Sequence, residues 1–157
     1  MNKHRAIEII CVVFLVFFIF LISADDKYSD KTVKEVISAV SAEVDMEDLT
    51  SFKKNKVKEE FGVEFDGVDS FAYYASDSIM TVDELLVIKL KEGVKADDIL
   101  EKIETRVNDK QVLFEGYAPE QSALLKDCQL THKNGFIFYA VGEDAADALA
   151  VFLSAVR

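Results

Sequence analysis

The sequence is poor in the residues that most often carry chemistry. Its 157 residues include two histidines, two cysteines, one proline and no tryptophan. His4 and Cys11 lie in or beside an N-terminal apolar run, so the rest of the chain has only His132 and Cys128. Neither has a second His or Cys beside it in the pattern of a transition-metal site, and this part of the chain cannot form an internal disulfide.

Catalytic motifs are also missing from the sequence. No serine stands in a nucleophile-elbow sequence, and no glycine-rich loop is present that would hold a phosphate group. His132 falls on the more apolar face of a predicted strand, which favours a packed or edge histidine over a general base. We therefore expect a protein that is not an enzyme, with no catalytic residues, no metal site and no cofactor.

Basic residues are scarce relative to acidic ones. The chain has 18 Lys and Arg against 29 Asp and Glu, and a formal net charge of −11. Without Lys3, Arg5 and Glu8, which flank the apolar run, 16 basic and 28 acidic residues remain, so that part carries −12. Nucleic acid and anionic lipid surfaces recruit cationic clusters, so neither is expected as a partner of this acidic domain. The charge suits a soluble envelope domain, or one that meets basic partners or cations.

The one long apolar run is the strongest single signal in the chain. Its fourteen residues, Ile9–Ile22, follow Lys3 and Arg5 and precede acidic residues 25–26. As a helix, residues 6–24 would span about 28 Å, close to the ~30 Å hydrocarbon core of a bilayer. The charges on its two sides predict a cytoplasmic N-terminus and an extracytoplasmic C-terminal domain.

Two interpretations of this segment are open. Residues 1–24 are either an uncleaved single-pass signal anchor in a bacterial cell membrane or a secretory signal whose cleavage near Ala24 releases the domain. Ile22 replaces the small residue of a cleavage site, which favours the anchor, and Cys11 lacks the small neighbours that lipid attachment requires. The lipid bilayer is then the expected partner of residues 6–24.

The remainder predicts a short linker, residues 25–31, and one exported α+β domain, residues 32–157. Two ββα units are expected to form one four-stranded antiparallel sheet with helices mainly on one face. The two N-terminal helices would cover a sheet edge or part of the second face. Five helices are predicted. The first begins near Thr32 with a capping box, and the other four run from about Thr50 to Phe61, from Lys95 to about Glu115, from Pro119 through Leu125 and from Asp144 to Val156.

The strands are indicated by alternating apolar residues near 70–75 and 85–91 and by an Asn134-Gly135 hairpin signal. A two-residue turn there pairs Lys133 with Phe136. Ile137 and Tyr139 then share one face, and Phe136 and Phe138 share the other.

Short motifs around these strands carry a family resemblance. They are Tyr74-Ala75-Ser76, Met80-Thr81-Val82-Asp83-Glu84-Leu85, Tyr117-Ala118-Pro119-Glu120 and Gly135-Phe136. Over about Thr32 to Arg157 the chain resembles the bacterial domain-of-unknown-function family numbered 4358. The resemblance implies a small envelope protein of Gram-positive bacteria, of a kind often predicted to be a lipoprotein, and it implies no activity. This chain departs from that pattern because it lacks a lipidation cysteine.

Six residues are candidates for a binding site: Asp83, Glu84, Tyr117, Glu120, Phe136 and Phe138. Asp83 and Glu84 would reach one cation only from a turn before Leu85, because neighbours on a strand point to opposite faces. Tyr117 and Glu120 also have structural explanations, at a helix end and in a helix first turn.

Phe136 and Phe138 have two interpretations. An exposed aromatic face would suit the recognition of glycan, peptide or another protein. Alternatively, the N-terminal helices cover that face and the two side chains belong to the core.

The leading hypothesis is a membrane-anchored, non-enzymatic binding module of the bacterial cell envelope. Its partner would be an envelope protein or a wall polymer. The alternative is a carboxylate-dependent hydrolase of a cell-wall polymer, in which Glu84 acts with another carboxylate such as Glu120.

Overall fold

The computed structural model of the protein describes residues 28–157. The expected anchor, residues 1–24, and residues 25–27 of the linker lie outside the described residues, so the membrane interpretation stays a prediction. Within residues 28–157, no helix is both long enough and apolar enough to cross a membrane.

The described residues form an α+β domain built on a five-stranded antiparallel sheet. The strand order across the sheet is β1-β2-β3-β5-β4, so β3 lies at the centre and β1 and β4 form the edges. In chain order the elements are α1 (Val33–Glu43), β1 (Leu49–Phe52), α2 (Lys54–Phe61), β2 (Val68–Ser76), β3 (Glu84–Leu90), α3 (Asp97–Glu115), α4 (Pro119–Lys126), β4 (Gln129–Lys133), β5 (Phe136–Val141) and α5 (Ala145–Ala155).

The sheet has one strand more than the four predicted. Residues from about Thr50 were expected to begin a helix, but β1 pairs with β2, with Leu49 opposite Ser76 and Phe52 opposite Tyr73. The helix starts only at Lys54. Thr and Phe fit a pleated, half-buried surface well, and the open edge of β2 supplies the hydrogen-bond partners. Pairing with a distant strand therefore overrides a weak local helical pattern.

Helices cover both faces of the sheet rather than mainly one. On the first face, α2, α3 and α4 pack over Tyr73, Leu86 and Tyr139. On the second face, α1 and α5 pack over Val87 and Phe138. The side chains of the second face are apolar too, and without a cover they would expose a large hydrophobic surface to water.

Three features predicted from local sequence signals are confirmed: the capping box of α1, the β4–β5 register and the turn between those strands. Thr32 caps α1 and forms a capping box with Glu35, as predicted. The β4–β5 register matches the expected one, with Lys133 opposite Phe136. Asn134 and Gly135 have φ of 52° and 83°, which is the backbone that a type I′ turn requires.

The strands define two ends of the sheet. At one end, the Tyr28 hydroxyl donates a hydrogen bond to the Leu90 carbonyl, and the Ser29 amide donates to the Asn134 carbonyl at 2.9 Å, beside Gly135. These five residues are called the clasp, and this end is the clasp end. At the other end β3 begins and β5 finishes, which we call the cleft end. The length of β3 places the two ends about 20 Å apart.

Candidate functional site

Two of the motifs that carry the family resemblance meet at the cleft end. The Val82 amide donates a hydrogen bond of 2.9 Å to the side-chain oxygen of Gln121. This contact joins the β2–β3 loop to the first turn of α4, where Glu120 is exposed. Tyr117 is 52 % exposed, and its ring centre lies 5.1 Å from that of Phe114. The candidates Tyr117 and Glu120 are therefore surface residues beside the β2–β3 loop.

Glu84 is not available to a ligand, because it is the centre of a buried ionic cluster. Its carboxylate accepts hydrogen bonds from both terminal nitrogens of Arg106, at 2.7 and 2.8 Å, and from Lys110 at 2.6 Å. The Tyr139 hydroxyl donates a hydrogen bond of 3.2 Å to the same carboxylate. Arg106 also binds Glu60 at 2.8 Å. With 5 % of its side chain exposed, Glu84 lies under α3 with each carboxylate oxygen bonded.

The cluster keeps its carboxylates ionised. Burial alone would raise the pKa of the Glu84 carboxyl, but the hydrogen bonds and charge of Arg106, followed by those of Lys110, outweigh burial and lower that pKa. Burial opposes ionisation of Glu60 as well, yet Lys56 and Arg106 lower its pKa to about 2. The Arg106 guanidinium also lies 4.2 Å from the centre of the Phe61 ring, a cation–π contact.

These contacts argue against Glu84 as the acid of a hydrolase. A carboxylic general acid needs a raised pKa, whereas the pKa of Glu84 is lowered. Glu120, its suggested partner, is exposed in the first turn of α4. His132 is exposed on the edge strand β4. Sequence reasoning missed Arg106 and Lys110, although their spacing of four residues places both on one side of α3.

Asp83 and Glu84 do not converge on one cation. Glu84 starts β3 and points into the ionic cluster, whereas Asp83 lies before the strand and is half-buried. The Asp83 carboxylate packs over Gly142, where a Cβ atom would lie 2.9 Å from its oxygen. The described residues contain no group of three or more His, Cys, Asp or Glu that could hold a metal ion.

Phe136 and Phe138 are core residues, so the exposed-aromatic interpretation is wrong. Both are fully buried. The Phe138 ring stacks on Phe152 of α5, with centres 4.6 Å apart, and Phe136 meets the same ring edge-on at 6.4 Å. The alternative holds in part: one N-terminal helix, α1, helps to cover this face, and the C-terminal helix α5 contributes the remainder. No pattern in the sequence distinguishes an exposed from a covered face at these two residues.

A cleft of about 540 Å³ opens at the cleft end, between the end of α1, the β2–β3 loop and the start of α5. We call it the acidic cleft. Its apolar lining comprises Val44, Met46, Leu49, Leu85, Ala140, Val141, Ala145 and Ala148. Its acidic lining comprises Asp45, Asp48, Asp77, Asp83, Glu84, Glu143 and Asp144. No Lys, Arg or His occurs among the described residues that line it.

Exposed apolar side chains are concentrated at the same end. Ile79 and Met80, in the β2–β3 loop, are 87 % and 58 % exposed. Val112 and Leu113, in the last turn of α3, are 72 % and 62 % exposed. Ile79 and Met80 lie between Ser78 and Thr81, which line the acidic cleft, whereas Val112, Leu113 and Tyr117 are on the α3 side of the sheet and do not line it.

A second cleft, of about 690 Å³, lies between α2 and α3. Its three cations are Lys102, Arg106 and Lys110. Lys102 binds Asp98 at 2.8 Å, and the other two bind the carboxylates of the ionic cluster. Carboxylates already neutralise these three cations. This cleft is therefore a poorer binding site for a charged ligand than the acidic cleft.

The chain was compared with known proteins. The family model described as "Domain of unknown function (DUF4358)" matches residues 42–142. The match covers more than half of the chain, and it contains all five strands and helices α2 to α4. Most of the acidic cleft lies inside it, whereas α5 lies outside. No curated protein and no solved structure is detectably similar to the chain.

Proposed function

The chain belongs to the family DUF4358, and on that basis we propose that it is a membrane-anchored, extracytoplasmic binding module of the bacterial cell envelope. Residues 6–24 are its anchor in this proposal, with the N-terminus in the cytoplasm. The acidic cleft is its binding site, and the ligand is a cationic, amphipathic segment of an envelope protein. The module performs no reaction.

The composition of the acidic cleft carries the proposal. Apart from Glu84, which Arg106 and Lys110 neutralise, the carboxylates surround an apolar floor, and no cation among the described lining residues neutralises them. A ligand that places lysine or arginine at the rim and an apolar side chain on the floor would satisfy both parts of this surface. The exposed Ile79 and Met80 beside the cleft extend the apolar contact.

A peptide segment fits this surface better than a bare cation or a neutral polymer. A bare cation would leave the apolar floor without a partner, and the described residues contain no ligand group for a metal ion. A neutral glycan would leave the carboxylates without a countercharge. A cationic, amphipathic segment would contact both the apolar floor and the carboxylates. Attraction between opposite charges would also accelerate its association.

A titration tests this proposal on the full chain in zwitterionic lipid vesicles. The probe is a fluorescein-labelled peptide of alternating lysine and leucine, and its anisotropy reports binding. Two variants carry equal changes of charge. The cleft triple combines Asp48→Asn, Asp83→Asn and Glu143→Gln. The clasp triple combines Asp30→Asn, Asp66→Asn and Glu92→Gln, three exposed carboxylates near the clasp end.

We expect the wild type and the clasp triple to bind the peptide alike. The cleft triple should bind about tenfold more weakly, because three rim charges at about 0.5 kcal/mol each amount to one factor of ten. Added salt should weaken the binding of the wild type most. Equal affinity of the two triples would refute the acidic cleft as the site. If purified cell-wall fragments compete with the peptide, the partner is a wall polymer and not a protein segment.

A further inference from the structure

The chain enters the described domain through the clasp. The Tyr28 ring lies against Gly135, where an added Cβ atom would be 2.6 Å from ring carbons. The Lys89 ammonium lies 5.2 Å from the centre of the same ring. Ser29 is buried and bonded to the turn through its amide. Tyr28 and Ser29 are therefore packed against the sheet.

The clasp ties the entering chain to two other parts of the fold. The Asn134 side-chain amide donates a hydrogen bond of 2.9 Å to the carbonyl of Val156, at the end of α5. The Lys89 ammonium donates to the carbonyl of Lys31 at 2.7 Å. The N-terminal segment, the β4–β5 turn and the C-terminal helix are thus joined at one point. The position at which the chain enters the domain is therefore fixed.

Little chain separates this point from the proposed anchor. Residues 25–27 lie between residue 24 and Tyr28. Fully extended, the steps from residue 24 to Tyr28 reach about 14 Å at most. The clasp end must then stay close to the bilayer surface, while the acidic cleft lies about 20 Å farther along β3.

We infer that the domain stands on the membrane by its clasp end and presents the acidic cleft away from the bilayer, toward a partner that approaches from the outer side. This inference rests on the proposed anchor. Charge supports the same orientation, because Lys31, Lys89 and Lys91 accompany the carboxylates of the clasp end, whereas no cation is among the described residues that line the acidic cleft, which anionic lipid headgroups would repel. A partner segment lying flat on the membrane surface would not reach the cleft.

The orientation is measured with the full chain reconstituted in lipid vesicles, with Cys11→Ser and Cys128→Ala as background. A single fluorescent label is attached through Glu92→Cys at the clasp end or through Ile79→Cys at the cleft end, both exposed positions. Lipids that carry a spin label on the headgroup quench fluorophores near the surface. We expect the Glu92 label to lose most of its fluorescence and the Ile79 label to keep most of it.

Equal quenching at both positions in chains that float with the vesicles would overturn the orientation while leaving the anchor intact. Chains that fail to float would instead overturn the proposed anchor, and this inference with it. Tyr28→Ala tests the cause: loss of the ring should release the clasp and reduce the contrast between the labels. A full contrast in Tyr28→Ala, with an unchanged circular dichroism spectrum, would overturn the role of the clasp.

Discussion

The clasp end of the sheet is closed by side chains that fill space, whereas the cleft end leaves carboxylates and apolar side chains open to solvent. At the clasp end, the Tyr28 ring lies so close to Gly135 that an added Cβ atom would be 2.6 Å from its carbons. At the cleft end, Ile79 is 87 % exposed, and no Lys, Arg or His is among the described residues that line the acidic cleft. The first arrangement stabilises the fold, and the second keeps a surface available for a partner.

The same difference separates the carboxylates of the cleft end itself. Glu84 is buried and neutralised by Arg106 and Lys110, so it holds α3 against the sheet. Asp83, its neighbour in sequence, faces the cleft. Adjacent acidic residues thus serve the fold and the candidate site separately. Substitutions that change stability should differ from those that change binding.

The largest expected effect comes from the ionic cluster. Arg106→Met should lower the free energy of unfolding by about 3 kcal/mol, because it leaves the buried Glu84 carboxylate without its bidentate partner. Urea unfolding followed by circular dichroism measures the change. The matched control is Lys102→Met, which breaks a pair with the exposed Asp98 and should cost about 0.5 kcal/mol. Equal losses in both variants would contradict a structural role for the cluster.

The next largest change in the free energy of unfolding is expected at Gly135, which is compared with Gly93 because the two have nearly the same backbone conformation. Gly135 and Gly93 have φ of 83° and 81°, but an added Cβ at Gly93 meets no atom within 4 Å. Alanine should cost about 1 kcal/mol at Gly93 from backbone strain. At Gly135 it should cost about 1–2 kcal/mol more, because it also pushes against the Tyr28 ring. The excess at Gly135 should vanish in a Tyr28→Ala background, and its persistence there would show that the clasp contact is not its source.

Acid should weaken the fold through the ionic cluster. The pKa of Glu60 is about 2 in the folded protein and about 4.5 without its partners. The unfolded chain therefore binds the proton more readily, so this contribution is complete above about pH 4.5 and is lost as the pH falls toward 2. Glu60→Gln should flatten the fall of the unfolding free energy over that range. A fall as steep in Glu60→Gln as in the wild type would contradict this role of the cluster.

The smallest effect is a gain in stability. The cleft triple should raise the free energy of unfolding by about 0.5 kcal/mol, because it relieves repulsion among carboxylates that a partner would otherwise neutralise. The gain should shrink as salt is added. The clasp triple should show no such gain, since Lys31, Lys89 and Lys91 lie near its carboxylates. A loss of stability in the cleft triple would mean that those carboxylates support the fold.

The extent to which the sequence predicts this molecule follows from the range of each interaction. The Asn134-Gly135 turn, the capping box of α1 and the long helix α3 arise from residues close in sequence, and each was predicted. Strand β1 depends on pairing with residues 73–76, which lie beyond a helix, so its four residues carried no clear local signal. Phe136 and Phe138 were candidates for an exposed surface, and their burial likewise depends on packing against a separate element, α5.

The candidate site illustrates the same limit. Asp83, Tyr117 and Glu120 were identified as candidates, and the structure places them at one end of the sheet. The acidic cleft itself is assembled from segments near residues 44–49, 76–85 and 140–148. Glu84 meets Arg106 across 22 positions of sequence. No spacing rule connects such segments, so the cleft and the ionic cluster emerge only from the fold.

The central claim is that the acidic cleft is where a cationic segment binds. The most direct measurement uses the lysine–leucine peptide with a photoreactive group, crosslinked to the full chain in zwitterionic vesicles and located by mass spectrometry. We predict crosslinks within residues 44–49, 76–85 and 140–148, and their loss in the cleft triple. Crosslinks confined to the α2–α3 cleft or to the clasp end, unchanged in the cleft triple, would contradict the claim.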